Sequence, residues 1–295
     1  MNDAEAGRIS LDERQRLHEA NALAAIFFRQ ELLGTEKTWP VALLESWGAG
    51  LVLSPGSAWQ IGLAPDGGTR LVDRLRAAGF GRELLLRSGL ASSAEDGRLV
   101  DRYRDQLVVV SHDRRLDPVG FVGIDREGRA RPISAETPVH RRAEALVGVM
   151  EQIDLLGEGA IPVIVDHPLD AVAVGLGSHE GGRRHVGIPL CGAPISKDQA
   201  SILRRYTATN WVIVTVPFEQ ESGQRALRSA VDLTEYFDRV RMLECPPGPL
   251  VGNPWRLEFL ADLYLNPPGA DRSGDLAQHL DPEIDHGSDG PGLVP

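Results

Sequence analysis

The chain has 295 residues, of which 42% are hydrophobic and 25% charged, a globular composition that excludes disorder over the whole length. Thirty-one Lys and Arg against 42 Asp and Glu give a net charge of −11. That balance argues against a basic nucleic-acid coat or a polybasic membrane binder, because phosphate would be repelled by the average surface. The two cysteines, Cys191 and Cys245, exclude a disulfide-stapled scaffold and a four-cysteine zinc site built by this chain alone.

Targeting signals are not evident in the sequence. The first ten residues lack the basic start and apolar core of a signal peptide, and no apolar run approaches the roughly 20 residues that cross a bilayer. We therefore expect a cytoplasmic protein with no membrane partner.

The first hundred residues are predicted to be mostly helical. Residues 10–33 begin with Ser10 and Glu13 at capping-box spacing, carry a broad apolar stripe and end before Gly34, which fits a C-terminal stop. Shorter helices are predicted near 41–47, 69–78 and 82–88.

The pattern changes to strands near residue 106. Residues 106–111 are β-branched, residues 113–118 are turn-like, and residues 119–124 alternate apolar side chains with glycine, which predicts an antiparallel hairpin. The stretch 98–142 is net positive, with seven acids against ten arginines: Arg98, Arg102, Arg104, Arg114, Arg115, Arg126, Arg129, Arg131, Arg141 and Arg142. Charge alone leaves two interpretations open, a solvated hairpin or a phosphate-binding surface.

From residue 160 strands and helices alternate, which favours a parallel sheet covered by helices. The predicted strands are 161–165, 186–189 and 210–216, and the predicted helices are 169–176, 196–206 and 223–240. A short helix at 255–265 and an acidic Gly/Pro/Asp/Ser tail complete the chain.

Three familiar site types find little support. The glycines of Gly175–Gly181 follow a predicted helix rather than a strand, so a turn is preferred to a dinucleotide loop. The histidines and cysteines lack zinc-ligand spacing, so no zinc is expected, and no GxSxG elbow follows a strand.

The informative segment is residues 163–170. A buried strand ends at Asp166, and Asp170 follows in the first turn of the next helix. Carboxylates in this arrangement can hold Mg²⁺ or exchange protons with a phosphate substrate, although two ordinary capping acids would look the same.

Six segments, taken in order, resemble the catalytic core of bacterial DnaG-type DNA primases. They span residues 17–245 with spacing similar to the family's: LHEANALAAIFFRQELLG (17–34), IGLAPDGGTRLVDRLRAAGF (61–80), GRLVDRYRDQLVVVSHDRRLDPVGFVG (97–123), SAETPVHRRAEALVGV (134–149), VIVDHPLDAVAV (163–174) and GIPLCGAPISKDQASILRRY (187–206). The fifth segment stands where the family's toprim module has VVEGYMDV.

The resemblance implies an α+β fold: a mostly helical and antiparallel N-terminal subdomain followed by a toprim-type α/β sheet. The implied division is a flexible N-terminus (1–9), a nucleic-acid-binding subdomain (10–158), a toprim-like domain (159–250), a short helix (251–266) and a disordered acidic tail (267–295). In the family, toprim acids bind Mg²⁺ or Mn²⁺ where a nucleotide is transferred, and basic residues hold template DNA and nucleotide. By position, Arg102 and Arg104 match the DRFR arginines, Arg142 replaces the lysine of FHK, and Arg131 lies near another family lysine.

The acidic positions depart from the family pattern. The toprim glutamate is Asp166 here, whereas Asp170 is retained. The two aspartates of FDGDAAGR fall in residues 214–225, and their counterparts depend on where gaps are placed. The alternatives are Thr215 with Pro217, Phe218 with Gln220, or Glu219 with Glu221, and only the last pair could ligate a metal.

Three functions follow as hypotheses. The first is template-directed synthesis of short RNA primers from nucleoside triphosphates on single-stranded DNA, with Asp166 and Asp170 catalytic and Glu219 and Glu221 as further metal ligands. The second is a catalytically degenerate toprim protein that binds nucleic acid or a replication partner without synthesis. The third is a toprim nuclease. A replicative helicase is a further partner that the resemblance allows.

Overall fold

The computed structural model describes residues 9–131, 136–180 and 185–245. The predicted helix at 255–265 and the predicted acidic tail lie outside the described residues. No helix in the described ranges is long and apolar enough to cross a membrane.

The N-terminal half is built on one long helix, α1 (Leu11–Leu33), which packs against a small antiparallel sheet. Ser10 caps the helix by accepting a hydrogen bond from the Glu13 amide at 3.0 Å, as the sequence predicts. The other helices are α2 (Thr38–Ser46), α3 (Arg70–Ala77) and α4 (Arg82–Arg87). The strands are β1 (Gly62–Ala64), β2 (Ala91–Ser93), β3 (Leu99–Asp101), β4 (Gln106–His112) and β5 (Pro118–Ile124).

The predicted hairpin is confirmed as β4 and β5, which pair antiparallel, with β1 on the other edge of β4. The sequence did not predict β1, because its three residues carry no periodic pattern. Gly62 lies so close to α1 that a Cβ atom there would be 2.4 Å from Cβ of Phe28. Only glycine allows this approach, so β1 depends on packing against a residue far away in the sequence.

The second half is the predicted helix-covered parallel sheet. Its elements are α5 (Ile153–Gly157), β6 (Ile161–Val165), α6 (Pro168–Glu180), β7 (His185–Pro189), α7 (Lys197–Tyr206), β8 (Trp211–Pro217), α8 (Gln220–Leu233) and β9 (Arg239–Cys245). The strand order is β7-β6-β8-β9, and all three pairings are parallel. The α+β class predicted from the sequence is therefore confirmed.

Two sequence predictions in this half are wrong. The helix predicted for 223–240 ends at Leu233, and β9 pairs with β8 along its whole length. The helical apolar spacing simply continues to Phe237, which is buried, so periodicity alone did not show the end of the helix.

The turn predicted at Gly175–Gly181 is also wrong, because residues 175–180 belong to α6, which ends at Glu180. A Cβ atom at Gly175 would lie 2.5 Å from Oε1 of Gln152. The glycine is therefore explained by close packing inside a helix rather than by a turn.

The two halves share one hydrophobic core. Leu44, Val52 and Trp59 from the N-terminal half are buried in the same cluster as Val163 and Val172 from the parallel sheet. Such dry packing resists relative movement of the halves, so the arginine-bearing surface is held in a fixed relation to the sheet.

A buried carboxylate organises the N-terminal half. Asp101 is fully buried, and its two oxygens accept hydrogen bonds from the amides of Leu71 and Val72 at 3.0 and 2.8 Å. These amides begin α3 and have no partner within the helix. Burial raises the pKa of Asp101, because desolvation outweighs the two amide hydrogen bonds.

Asp101→Ala is expected to lower the free energy of unfolding by about 2–3 kcal/mol, because two buried amides would be left without an acceptor. Urea titration monitored by circular dichroism measures the change. Asp96→Ala removes an exposed carboxylate from the neighbouring turn and serves as the control. Equal losses of stability in the two variants would contradict the capping role.

His140 predicts a specific pH dependence of stability. The side chain is fully buried, neither ring nitrogen has a hydrogen-bond partner among the described residues, and burial lowers its pKa to about 4. The native state keeps His140 neutral, while the unfolded chain takes up a proton below about pH 6.5. The stability that comes from keeping His140 neutral is therefore complete above about pH 6.5 and is lost as the pH falls from there towards 4.

Through His140 the parent protein should lose about 2 kcal/mol of its free energy of unfolding between about pH 7 and pH 5, and His140→Leu should not show this part of the loss. Urea titrations of both proteins at the two pH values provide the measurement. An identical loss of stability in the variant and the parent would show that His140 does not titrate as described.

Candidate functional site

The candidate acids follow the C-terminal ends of two neighbouring strands of the parallel sheet, β6 and β8. Buried β6 lies between β7 and β8 and ends directly before Asp166. The Leu190 amide donates to the Val165 carbonyl at 2.8 Å, and Thr215 Oγ1 donates to the Ile164 carbonyl at 2.9 Å. Thr215, one of the alternative counterparts of a family aspartate, is therefore a buried residue that fixes β6 beside β8.

Asp166 is held by Arg225 and Ser222 from α8. Arg225 donates from Nε to Oδ1 at 3.2 Å and from Nη2 to Oδ2 at 3.0 Å. Ser222 Oγ donates to Oδ2 at 3.1 Å and accepts from Arg225 Nη2 at 2.8 Å. Both carboxylate oxygens are thus engaged by a two-pronged guanidinium contact.

Asp170 lies one helical turn further on, beside the end of β9. Its charge adds to the effect of burial in raising the pKa of the Cys245 thiol to about 12. Burial, with the charge of Asp166, likewise raises the pKa of Cys191 to about 12. Both thiols therefore stay protonated at neutral pH, which makes them poor metal ligands and poor nucleophiles.

Glu219 and Glu221 lie at the start of α8. Glu219 is the residue that precedes the helix, Glu221 is in its first turn, and both are exposed. Phe218 is 64% exposed, so it does not fill the corner between β6 and β8. Among the described residues, no three of the carboxylates of Asp166, Asp170, Glu219 and Glu221 place oxygens within 4.8 Å of one another.

The donor chemistry of this edge suits a hard divalent ion, since all four candidate ligands are carboxylates. The arrangement does not, because the guanidinium of Arg225 already neutralises Asp166. As they are placed, these residues do not form a site for Mg²⁺ or Mn²⁺.

His167 ties the sheet edge to the N-terminal half. Its ring stacks on Trp47 with centroids 4.1 Å apart, and its Nδ1 accepts from the Leu169 amide at 3.1 Å. Burial lowers its pKa to about 4, so the ring is neutral at neutral pH and adds no positive charge beside Asp166.

Residues 101–104 alternate between buried and exposed side chains. Asp101 caps α3, and Tyr103 packs in T-shaped contacts with Phe28 and Phe121. Arg102 and Arg104 are exposed, and the charge of Arg104 acts against the rise in the pKa of Asp101. Neither arginine forms an ion pair with a carboxylate in the described ranges, so both guanidinium groups are available to an anionic ligand.

Arg142 lines a cavity of about 420 Å³ near the same sheet edge. The other walls come from the loop after β7, including Cys191, and from Gln199 near the start of α7. Gln199 Nε2 donates to the carbonyls of Arg142 and Ala145 at 3.2 and 2.6 Å, which fixes this segment of backbone. Arg131 is exposed after β5 and does not line this cavity.

A second group of acids lies elsewhere in the N-terminal half. His18 on α1 and Asp113 and Asp117 in the β4–β5 turn each place one ligating atom within 4.8 Å of the other two. They are a possible metal-binding group among the described residues. Asp113 Oδ1, however, already accepts from the amides of Arg115 and Asp117 at 2.8 and 3.1 Å.

Sequence reasoning missed Arg225, Ser222 and the group around His18. The QESGQR segment contains Ser222 and Arg225, but nothing local indicates that α8 turns them towards β6. His18 lies about a hundred residues from its two acidic neighbours, and only the packing of α1 on β5 brings them together.

The chain is similar to known proteins over much of its length. The family model described as the DNA primase catalytic core, N-terminal domain, matches residues 27–152. The DNA primase of Deinococcus radiodurans is 30% identical over 238 residues, which are 79% of this chain and 39% of that protein. The DNA primase of Geobacillus stearothermophilus is 28% identical over 247 residues, 80% of this chain and 38% of the relative. The chain thus spans about two fifths of the length of these curated relatives.

Solved structures agree on the fold. A DnaG primase catalytic domain bound to single-stranded DNA superimposes with a TM-score of 0.65 at 23% identity, covering 81% of this chain and 76% of the other. The RNA polymerase domain of Mycobacterium tuberculosis DnaG gives a TM-score of 0.66 at 21% identity, with coverage of 86% and 82%. In sequence and in fold the chain is thus similar, over about four fifths of its length, to the catalytic core of bacterial DnaG-type DNA primases.

Proposed function

We propose that this chain works as a primase core, which binds single-stranded template DNA and joins ribonucleoside triphosphates into short RNA primers. The observation that carries the proposal is the ordered match to DNA primases, from α1 through the parallel sheet. The relatives named DNA primase and the neighbouring primase structures support a primase-like function. Such work on DNA fits a protein of the bacterial cytoplasm, and a replicative helicase is its proposed partner.

Template DNA is proposed to bind along the arginines of the N-terminal half. Arg102 lies between the buried residues Asp101 and Tyr103, and Arg104 follows Tyr103, so the backbone that carries both arginines is ordered before they bind phosphates. Arg131 is proposed to extend this surface. The net charge of −11 does not oppose the proposal, since the acidic residues are unevenly distributed and 98–142 is net positive.

The incoming nucleotide is proposed to occupy the cavity beside Arg142. Its volume of about 420 Å³ falls in the range of small-molecule sites. A guanidinium can bind a triphosphate through two parallel hydrogen bonds, which fits an arginine where the family has lysine. The cavity shares Cys191 with the surroundings of Asp166, so a nucleotide there would lie near the proposed acids.

Asp166 and Asp170 are the proposed catalytic acids, with Glu219 and Glu221 as further ligands of Mg²⁺ or Mn²⁺. A divalent ion would supply charge neutralisation for the triphosphate. The carboxylate of Asp166 must leave Arg225 before it can serve in this way.

A second candidate function is nucleic-acid binding without synthesis. The specific observation in its favour is the Asp166–Arg225 pair, which occupies the carboxylate at the end of β6. The arginine surface would be unaffected by the loss of chemistry at the sheet edge.

Primer synthesis separates the two candidates. With single-stranded template, labelled ribonucleotides and Mg²⁺ or Mn²⁺, we expect short oligoribonucleotides. Asp166→Asn should reduce the rate by about 100-fold or more, because the proposed site would lose a negative charge. Arg228→Gln on the exposed face of α8 is the control. Tight template binding with no product would favour the second candidate, and degradation of the template would indicate a nuclease.

Arg142→Ala should raise the KM for nucleotides by about tenfold with a smaller effect on kcat, because a charge-assisted hydrogen bond to the triphosphate would be absent. Steady-state kinetics over a range of nucleotide concentrations measure both constants. An unchanged KM would remove the nucleotide from this cavity.

Removing Arg102 and Arg104 together should weaken binding to a fluorescent single-stranded oligonucleotide. The slope of log K against log salt should become less steep by about 0.7 for each phosphate that is no longer neutralised. Arg98 and Arg129 are matched controls, because each forms an ion pair with a nearby acid. If replacing Arg98 and Arg129 by alanine weakened binding as much as replacing Arg102 and Arg104, the effect would come from net charge and not from a specific surface.

A further inference from the structure

The contact between Asp166 and Arg225 has the geometry of a specific ion pair rather than of a chance surface contact. Both partners are less than one third exposed, at 29% and 23%. Two nitrogens of one guanidinium meet two oxygens of one carboxylate, and Ser222 bridges the partners. Ser222 is buried, so the hydroxyl group that bridges the two partners has little room to move.

Arg225 has an alternative partner that it does not use. Glu221 lies four residues earlier on the same helix, which is the spacing at which a glutamate and an arginine pair along a helix surface. The structure instead directs Arg225 across to β6, and Glu221 is left exposed. The i,i+4 spacing on α8 therefore offers Arg225 a second carboxylate besides that of Asp166.

The backbone of α8 supports this placement. Ser229 Oγ donates to the Arg225 carbonyl at 2.7 Å and accepts from the Ile195 amide at 3.0 Å. The helix is thereby joined to the loop before α7 at the level of Arg225.

We propose that Arg225 is a resident cation of the sheet edge, which holds Asp166 in place of a divalent ion and must be displaced before such an ion binds. The proposal rests on the proposed function only in taking Asp166 as the metal-binding acid. A guanidinium within about 3 Å repels an incoming dication and occupies the lone pairs that it needs. Release of Arg225 to Glu221 would open Asp166, and return of Arg225 would close it.

Binding of Mn²⁺, followed by the decrease of the free-ion signal in electron paramagnetic resonance, tests this exchange without any reaction. All proteins carry Asp117→Asn, so that the group around His18 does not contribute. Arg225→Gln is expected to bind Mn²⁺ at least about tenfold more tightly than its parent, because the competing charge is gone. Arg228→Gln removes the same charge one turn along α8 and should leave the affinity unchanged.

Two further variants keep the result interpretable. Asp166→Asn in the Arg225→Gln background should abolish the gain in affinity. Ser222→Ala removes only the bridging hydroxyl and should give a smaller gain in the same direction, so it replaces Arg225→Gln if thermal unfolding shows that the latter does not fold.

An unchanged Mn²⁺ affinity in Arg225→Gln and Ser222→Ala would overturn the proposal, as would an equal gain in Arg228→Gln. The result is separable from primer synthesis. Synthesis by the parent protein with no change in Mn²⁺ affinity among the variants would reject the resident cation and keep the function. Tighter Mn²⁺ binding by Arg225→Gln with no synthesis by any variant would keep the resident cation and reject the proposed function.

Discussion

Parallel pairing of β6 between β7 and β8 is the constraint on which the rest of this molecule depends. A buried strand with two parallel neighbours must deliver its next residue to the edge where the other strands also end. Asp166 is that residue, and α8, which begins just after β8, brings Ser222 and Arg225 to the same place. The β8–α8 connection decides which residues of α8 face β6, and these residues determine which partners the carboxylate of Asp166 has.

In the N-terminal half, buried residues hold exposed arginines in place on the surface of an acidic protein. Buried and exposed side chains alternate over residues 101–104, so that a buried acid and a buried aromatic ring flank the exposed guanidinium group of Arg102 and precede that of Arg104. The shared core around Trp59 and the stacking of Trp47 on His167 then hold this surface in register with the sheet edge. Template and nucleotide sites proposed on the two halves would thus keep a constant separation.

Much of this fold was accessible from the sequence because local signals agree with the final structure. The cap at Ser10, the alternation of the hairpin and the run of buried β6 each act over a few residues. Gly175 misled the sequence interpretation, because its reason is the close packing of Gln152 against α6. The strand β9 was missed because the helical spacing of α8 continues into the turn before it. The Asp166–Arg225 pair spans 59 residues and has no local signature, so only packing reveals that the candidate acid is already neutralised.

The central claim is that Asp166 belongs to a catalytic edge whose carboxylate Arg225 holds until a metal and nucleotide arrive. Crystals of the protein with single-stranded DNA, a non-hydrolysable ribonucleoside triphosphate and Mn²⁺ would test it most directly, with the metal located by anomalous scattering. We expect Mn²⁺ on Asp166, with Arg225 turned away from that carboxylate and the triphosphate beside Arg142. Saturating Mn²⁺ and nucleotide with Arg225 still bound to Asp166 and no metal at that carboxylate would contradict it.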